Sequence, residues 1–175
     1  MHPGNSCVEE ADGTRVLVPD NLECITTYVL REQHDWFEDE IKFVRAILQP
    51  GDHVIDIGAN YGVYTLSMAH KVGGSGTVYA FEPSSKTLEF LHASVALNAF
   101  NNIHIEPFAV SRCSGTAQFS MDTDSEINAI VKEVEGISIT AETETVETIS
   151  LDDAIDRFGW TEPSFLKVDG TNLQH

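Results

Sequence analysis

His53-Val54-Ile55-Asp56-Ile57-Gly58-Ala59-Asn60-Tyr61-Gly62 is the stretch on which the fold of this chain turns. Val54, Ile55 and Ile57 make a short apolar run, as in a strand whose two faces are both covered in a parallel sheet. Gly58 to Gly62 is a turn of mostly small residues. Val63 to Lys71 reads as a helix that ends at Gly73-Gly74, because glycine readily adopts the left-handed conformation past a helix C-terminus. Strand, glycine turn and helix in this order set free backbone N–H groups at the carboxyl end of a strand, where open α/β sheets bind their ligands.

The pattern repeats downstream. Thr77-Val78-Tyr79-Ala80-Phe81 reads as a second strand, and Pro83-Ser84-Ser85 opens a helix with Leu88, Leu91 and Val95 on one face, running to about Asn98. Ile103-His104-Ile105 begins a third strand. This alternation predicts an α/β fold, Rossmann-like and doubly wound, on a mostly parallel sheet. Between 115 and 149 the helical rhythm stops. Gly115 to Met121 and Thr143 to Ile149 read as strands flanking an acidic loop, an antiparallel insertion. Ser150-Leu151-Asp152-Asp153 resembles a capping box, and the helix it opens is expected to place Leu151, Ala154, Ile155 and Phe158 on one face. Phe165 to Asp169 reads as one more buried strand. The sequence stops six residues later, so the sheet is expected to be incomplete on its C-terminal side, with a raw edge that invites self-association.

Upstream, residues 35–48 read as an amphipathic helix. Phe37, Ile41, Val44 and Leu48 fall on one face, Asp35 stands as its cap, and Pro50-Gly51 ends it. Cys24 to Leu30, rich in β-branched and aromatic residues, reads as a strand. Thr14 to Pro19 reads as another, and residues 1–13 as a loose leader. The chain thereby divides into an N-terminal leader with short strands, 1–34, and a ligand-binding domain, 35–175.

Composition narrows the function. Asp plus Glu number 28 against 10 Lys plus Arg, a net charge of −18, which repels a phosphate backbone and argues against nucleic acid as partner. The run from Asp122 to Glu147 carries eight acids against Lys132 alone and reads as a solvated face. No stretch reaches the roughly 20 apolar residues of a membrane span. The first residues carry no signal-peptide pattern, so the expected setting is cytoplasmic. Cys7, Cys24 and Cys113 are odd in number and far apart, which suggests neither a disulfide framework nor a zinc site. The seven histidines show no metal spacing, so no metal is expected.

The candidate binding residues follow from the strand ends. Asp56 is placed for an ammonium group. The turn formed by Gly58, Ala59, Asn60 and Gly62 suits a carboxylate at the following helix N-terminus. Glu82, in Phe81-Glu82-Pro83, ends the next strand about 20 residues after the glycine turn, where an acid can accept hydrogen bonds from both ribose hydroxyls. The third strand's end, Glu106 to Val110 with Phe108 and Ala109, is the usual meeting place for an adenine edge. A dinucleotide-dependent oxidoreductase would need G-x-G-x-x-G. Asn60 stands where that pattern has its second glycine, so a zwitterionic amino-acid tail fits better than a pyrophosphate.

Five stretches in order resemble the FkbM family of S-adenosylmethionine-dependent methyltransferases: Trp36 to Glu40, Asp56 to Leu66, Phe81-Glu82-Pro83, Ala109-Val110-Ser111, and Thr148 to Asp153 leading to Leu166-Lys167-Val168-Asp169. Together they cover about residues 24–169. The resemblance implies a fold of the class I methyltransferase type and O-methylation of a hydroxyl on a small-molecule acceptor such as a saccharide or a secondary metabolite. It implies S-adenosyl-L-methionine as cofactor, held by Asp56, Gly58, Ala59, Asn60, Gly62, Glu82, Pro83, Phe108 and Ala109, with Glu38 at the methionine end. Asp169 stands where a catalytic or acceptor-side acid belongs. The family continues past this strand with elements of the acceptor pocket, which gives a second expectation: a module that binds the cofactor without turnover.

Overall fold

The structure is a computed structural model and describes residues 5–120, 143–160 and 162–169. The acidic loop from Asp122 to Glu142 and the last residues, Gly170 to His175, lie outside the described residues. The central sheet is parallel. Its inner strand β3 (His53–Ile57) pairs with β4 (Thr77–Phe81) on one side and β9 (Phe165–Val168) on the other, and β5 (Ile103–Glu106) lies beyond β4. Helix α3 (Val63–Val72) links β3 to β4, and α4 (Ser85–Asn98) links β4 to β5.

Alternation along β3 explains why apolar residues stand at neighbouring positions of the strand. Val54 joins Met68, Ala69 and Val72 of α3 in one cluster. Ile55 and Ile57 point the other way, into a cluster with Phe81, Phe108, Val110, Ile149 and Ala154. Both faces of the strand are thus covered, as in a doubly wound α/β fold. The chain proceeds from β3 to β4 and β5 on one side and later adds β9 on the other. The carboxyl ends of β3 and β9 therefore flank the switch point of the sheet, where such folds form their clefts.

The second face is covered by α5 (Leu151–Phe158) and a three-stranded sheet of β6 (Phe108–Val110), β8 (Thr143–Ile149) and β7 (Gly115–Ser120). Here β7 and β8 are antiparallel, and β6 and β8 parallel. The expected antiparallel pair is present, and β6 joins it to the body. Ser150 caps α5, its hydroxyl accepting the Asp153 N–H at 3.1 Å. Within α5 the expected face holds for Leu151, Ala154 and Phe158, which pack in the same cluster. Ile155 instead lies at the rim, exposed.

Five sequence expectations are corrected. Cys24 to Leu30 is not a strand: α1 (Ile25–Gln33) occupies it, with Thr26, Thr27, Val29 and Leu30 buried. That spacing is helical, and packing overrides the β-leaning residue types. Residues 1–13 are not uniformly loose, since β1 (Asn5–Glu9) forms an antiparallel hairpin with β2 (Arg15–Pro19). Val8, Val16, Val18 and Leu30 share a core with Ile41, Tyr61 and Leu66. The next helix, α2 (Asp39–Ile47), starts four residues later than expected, with Glu38 extended at its N-cap position and no side-chain capping bond. Asp35 instead binds the Trp36 N–H and the Arg45 guanidinium. Ile41, Val44 and Leu48 are buried as expected, but Phe37 lies outside the helix and exposed. Finally, β9 is not buried. Among the described residues it is the edge of its sheet, and Leu166 and Val168 are exposed, on the face of Ile55 and Ile57.

Among the described residues no helix is long and apolar enough to cross a membrane, and no acid, His or Cys cluster has the makings of a metal site. All three cysteines are free.

Candidate functional site

The turn after β3 is shaped by left-handed residues: Gly58 at φ +78°, Asn60 at +50° and Gly62 at +98°. The N–H groups of Gly58 and Ala59 both donate to the Phe81 carbonyl, at 3.0 and 2.9 Å. The turn is thereby tied across the end of β4 and leaves the end of β3 open. Glu82 fixes it further. One carboxylate oxygen accepts the Asn60 N–H and the other accepts the Ser84 N–H, both at 2.9 Å. Burial pushes the Glu82 carboxyl up to about 7, and the two backbone N–H groups only partly offset this.

A cleft of about 420 Å³, open to solvent, lies over this turn. Gly58, Ala59 and Asn60 form its floor. Tyr61 lines it from the turn, Val63 and Tyr64 from α3, Thr26, Trp36 and Glu38 from the N-terminal segment, and Lys167 and Asp169 from the end of β9. A larger hollow of about 550 Å³ includes His53, Thr77 and Trp160 in its lining, at the amino ends of β3 and β4. Ligands of open α/β sheets bind at the carboxyl ends, so the smaller cleft is the candidate site.

The sequence-predicted residues separate into those in the cleft and those behind it. Gly58, Ala59, Asn60, Glu38 and Asp169 line it. Glu38 accepts hydrogen bonds from the Trp36 indole N–H at 2.8 Å and the Tyr64 hydroxyl at 3.1 Å. Burial, with the Glu38 charge second, raises the Tyr64 phenol well above its ordinary range. Asp169 is anchored through its N–H, which donates to the Ile57 carbonyl at 3.0 Å. Its carboxylate is 58% exposed.

Asp56 is fully buried, sealed by the Thr65 hydroxyl at 2.5 Å and by Lys167 Nζ at 3.1 Å. Glu82 is 6% exposed, and Pro83 beside it is buried. Gly62 caps α3 and is needed for packing, because a Cβ there would lie 2.7 Å from Leu91 Cδ1. Phe108 and Ala109 are core residues of β6. Phe108 packs on Ile55, Ile57 and Phe81, and Ala109 packs with Phe119 and Val146.

Sequence reasoning assigned no role to Trp36, Tyr61, Tyr64 or Lys167. Lys167 carried a readable signal, being a lone cation inside the apolar strand Phe165-Leu166-Lys167-Val168. It sits opposite Asp56 in the β3–β9 register and shares its face. Its Nζ donates to the Gly58 carbonyl at 3.0 Å and lies 4.9 Å above the Tyr64 ring. One polar atom of the floor, the carboxamide oxygen of Asn60, is buried with no hydrogen-bond partner.

The model of the methyltransferase FkbM domain matches residues 56–170. The chain belongs to this family. The matched span begins at Asp56 and runs one residue past Asp169, so it contains the turn, Glu82 and Lys167. No curated protein matches significantly. Among solved structures, Trm5b from Pyrococcus abyssi is 19% identical over 60% of this chain and 28% of its own, with a TM-score of 0.44. P. horikoshii TYW2 in complex with MeSAdo is 20% identical over 59% of this chain and 35% of its own, at 0.44. A SAM-dependent methyltransferase from Aquifex aeolicus is 22% identical over 47% of this chain and 44% of its own, at 0.40. The chain thus spans less than half the length of each of these structures.

Proposed function

We propose that this chain binds S-adenosyl-L-methionine in the cleft at the carboxyl ends of β3 and β9 and serves methyl transfer to a hydroxyl of a small-molecule acceptor such as a saccharide. The observation that carries the reading is the buried, unpartnered Asn60 carboxamide oxygen on the cleft floor, in a chain of the FkbM family. A buried acceptor without a donor is costly unless a ligand supplies one, and the cofactor's hydroxyl and ammonium groups are such donors.

The other residues suit the same guest. Trp36 gives an aromatic wall, which favours a cation such as a sulfonium. Glu38 adds a negative charge at that wall. Gly58 and Ala59 let the backbone approach closely. Bound, the cofactor supplies an activated methyl group. Glu82 holds Asn60 in place from behind the turn, and Gly62, Pro83, Phe108 and Ala109 support the floor from the core. Asp169, exposed at the cleft, is positioned to take up the proton of an acceptor hydroxyl. The unit we propose is the domain 35–175, with residues 1–34 contributing Thr26 and the hairpin packed beneath the wall. The net charge of −18 supports a small acceptor over nucleic acid. Three free cysteines support a cytoplasmic setting.

The test is calorimetric titration with S-adenosylhomocysteine. The wild-type chain is expected to bind, and Asn60→Ala to bind up to about tenfold more weakly, the worth of one hydrogen bond. A folded wild-type chain that binds nothing overturns the proposal.

A further inference from the structure

We propose that Lys167 is the anchor for the carboxylate of the cofactor's methionine end, with Asp56 acting behind it as a positioning residue. This rests on the cofactor reading above. Sequence logic would send an ammonium group to Asp56, but Asp56 is fully buried and does not reach the cleft. What faces the ligand in its place is the lysine that seals it.

Three features of Lys167 support the assignment. First, an ammonium carries three N–H donors. One points to the Gly58 carbonyl at 3.0 Å, and a second faces Asp56 Oδ1 at 3.1 Å without an aligned hydrogen bond to it. Asp169, at 3.9 Å, is too far to take the third as a hydrogen bond. Second, the pair with Asp56 is Coulombic rather than directional, since Asp56 Oδ1 accepts no hydrogen bond, so the ammonium can turn toward a ligand without breaking a well-aligned bond. Third, a buried ion pair adds little stability over two apolar residues of the same volume. A lysine only 14% exposed and paired to a fully buried aspartate therefore points to a use other than stability.

The charges around it complete the match. Among the described residues that line the cleft, Lys167 is the only Lys or Arg, and Glu38 and Asp169 are the carboxylates. An amino-acid end carries one carboxylate and one ammonium. Lys167 receives the first, and Glu38 offers the opposite charge for the second. The Tyr64 ring, 4.9 Å from Nζ, holds the ammonium at the wall of the cleft.

The test compares S-adenosylhomocysteine with its decarboxylated counterpart, the 3-aminopropylthio analogue that keeps the amine and lacks the carboxylate. The wild-type chain is expected to prefer S-adenosylhomocysteine by about 10- to 100-fold, the range of a charge-assisted hydrogen bond. Lys167→Gln combined with Asp56→Asn removes both charges together and leaves neither buried alone. In that variant the preference is expected to fall close to onefold, while affinity for the decarboxylated analogue stays near the wild-type value. Lys167→Arg keeps the ion pair and gives a second reading: it should change the affinity for S-adenosylhomocysteine and leave that for the analogue unmoved. Equal weakening of both ligands, in either variant, would assign Lys167 a structural role and overturn the proposal. So would a preference that survives the double variant. A folded wild-type chain that binds neither ligand instead rejects the cofactor reading itself.

Discussion

Gly62 separates two explanations of a glycine in a binding turn: room for a ligand, or room for the protein. The residue sits at φ +98° and ψ +14° at the N-terminus of α3. An added Cβ would come within 2.7 Å of Leu91 Cδ1 and 3.5 Å of Leu66 Cγ. Leu66 and Leu91 are both fully buried, so neither has solvent to retreat into. For Gly62→Ala the left-handed backbone costs about 1–2 kcal/mol and overpacking about 1–3 kcal/mol. The expected loss is therefore about 2–5 kcal/mol, a large part of the stability of a single domain. Urea unfolding followed by circular dichroism reads it as a lower midpoint at constant slope. The steric part can be isolated with Leu91→Ala, which itself costs about 2–5 kcal/mol. Because that variant removes the methyl group that clashes, the double variant should lose about 1–3 kcal/mol less than the two single losses together. Gly62 does not line the cleft, so the folded Gly62→Ala protein is expected to bind S-adenosylhomocysteine like the wild type. A single loss below about 0.5 kcal/mol, or strict additivity with Leu91→Ala, would refute the packing argument.

Further expectations concern charge and edges. Burial raises Glu82 to about 7 and Glu10 to about 8, both from an ordinary value of 4.5. The folded chain then holds protons that the unfolded chain has released, so stability is greatest below pH 4.5 as far as these two groups decide it. It falls as pH rises through 7 and 8. Urea midpoints should be higher at pH 5 than at pH 8, and Glu82→Gln should remove ~3 kcal/mol of that difference; midpoints that rise with pH contradict the assignment. Asp12, whose carboxyl is lowered because hydrogen bonds from Ser67 and Thr14 outweigh its burial, acts only at more acid pH. Asp56→Ala leaves the Lys167 ammonium nearly buried without its counter-charge and should cost about 3–5 kcal/mol in chemical unfolding, most of it recovered on adding Lys167→Met. The open edge of β9, with Leu166 and Val168 exposed, should give concentration-dependent association in sedimentation velocity, and Val168→Lys should reduce it. Identical sedimentation of the two proteins across concentrations would count against the edge as a contact.

Where the sequence was legible, a local signal and the tertiary environment agreed. The strand and turn from His53 to Gly62 combine an apolar run with glycines at left-handed positions, and nothing remote contradicts them. Ser84 and Ser150 start α4 and α5 with their own hydroxyls, so those helices are announced within four residues. The failures are places where a distant partner decides. The β-branched residues of α1 are helical because Thr26, Thr27, Val29 and Leu30 find burial together on one side. The start of α2 moves from residue 35 to 39 because the Asp35 carboxylate is claimed by Arg45, ten residues away. The exposure of β9 follows from its place at the sheet edge, which no pattern within Phe165–Val168 encodes.

The site itself was half legible for a related reason. An acid at the carboxyl end of a parallel strand signals a ligand, and of the four in this sheet (Asp56, Glu82, Glu106 and Asp169) sequence reading gave a role of its own to three: Asp56, Glu82 and Asp169. The signal is the same for each, but burial assigns them different tasks. Asp56, fully buried, holds the lysine. Glu82, 6% exposed, spends both oxygens on the backbone of the turn and of the α4 start. Only Asp169 turns its carboxylate to the cleft. This division has a physical logic. A buried carboxylate bound to protein donors cannot reorganise when a ligand arrives, so it fixes geometry in advance and leaves contact to groups it has positioned. The consequence for reading related sequences is specific. A strand-end acid with a lone lysine or arginine at the matching register of the neighbouring strand, as Asp56 has in Lys167, should be read as half of an ion pair, and the cation should be read as the residue that meets the ligand.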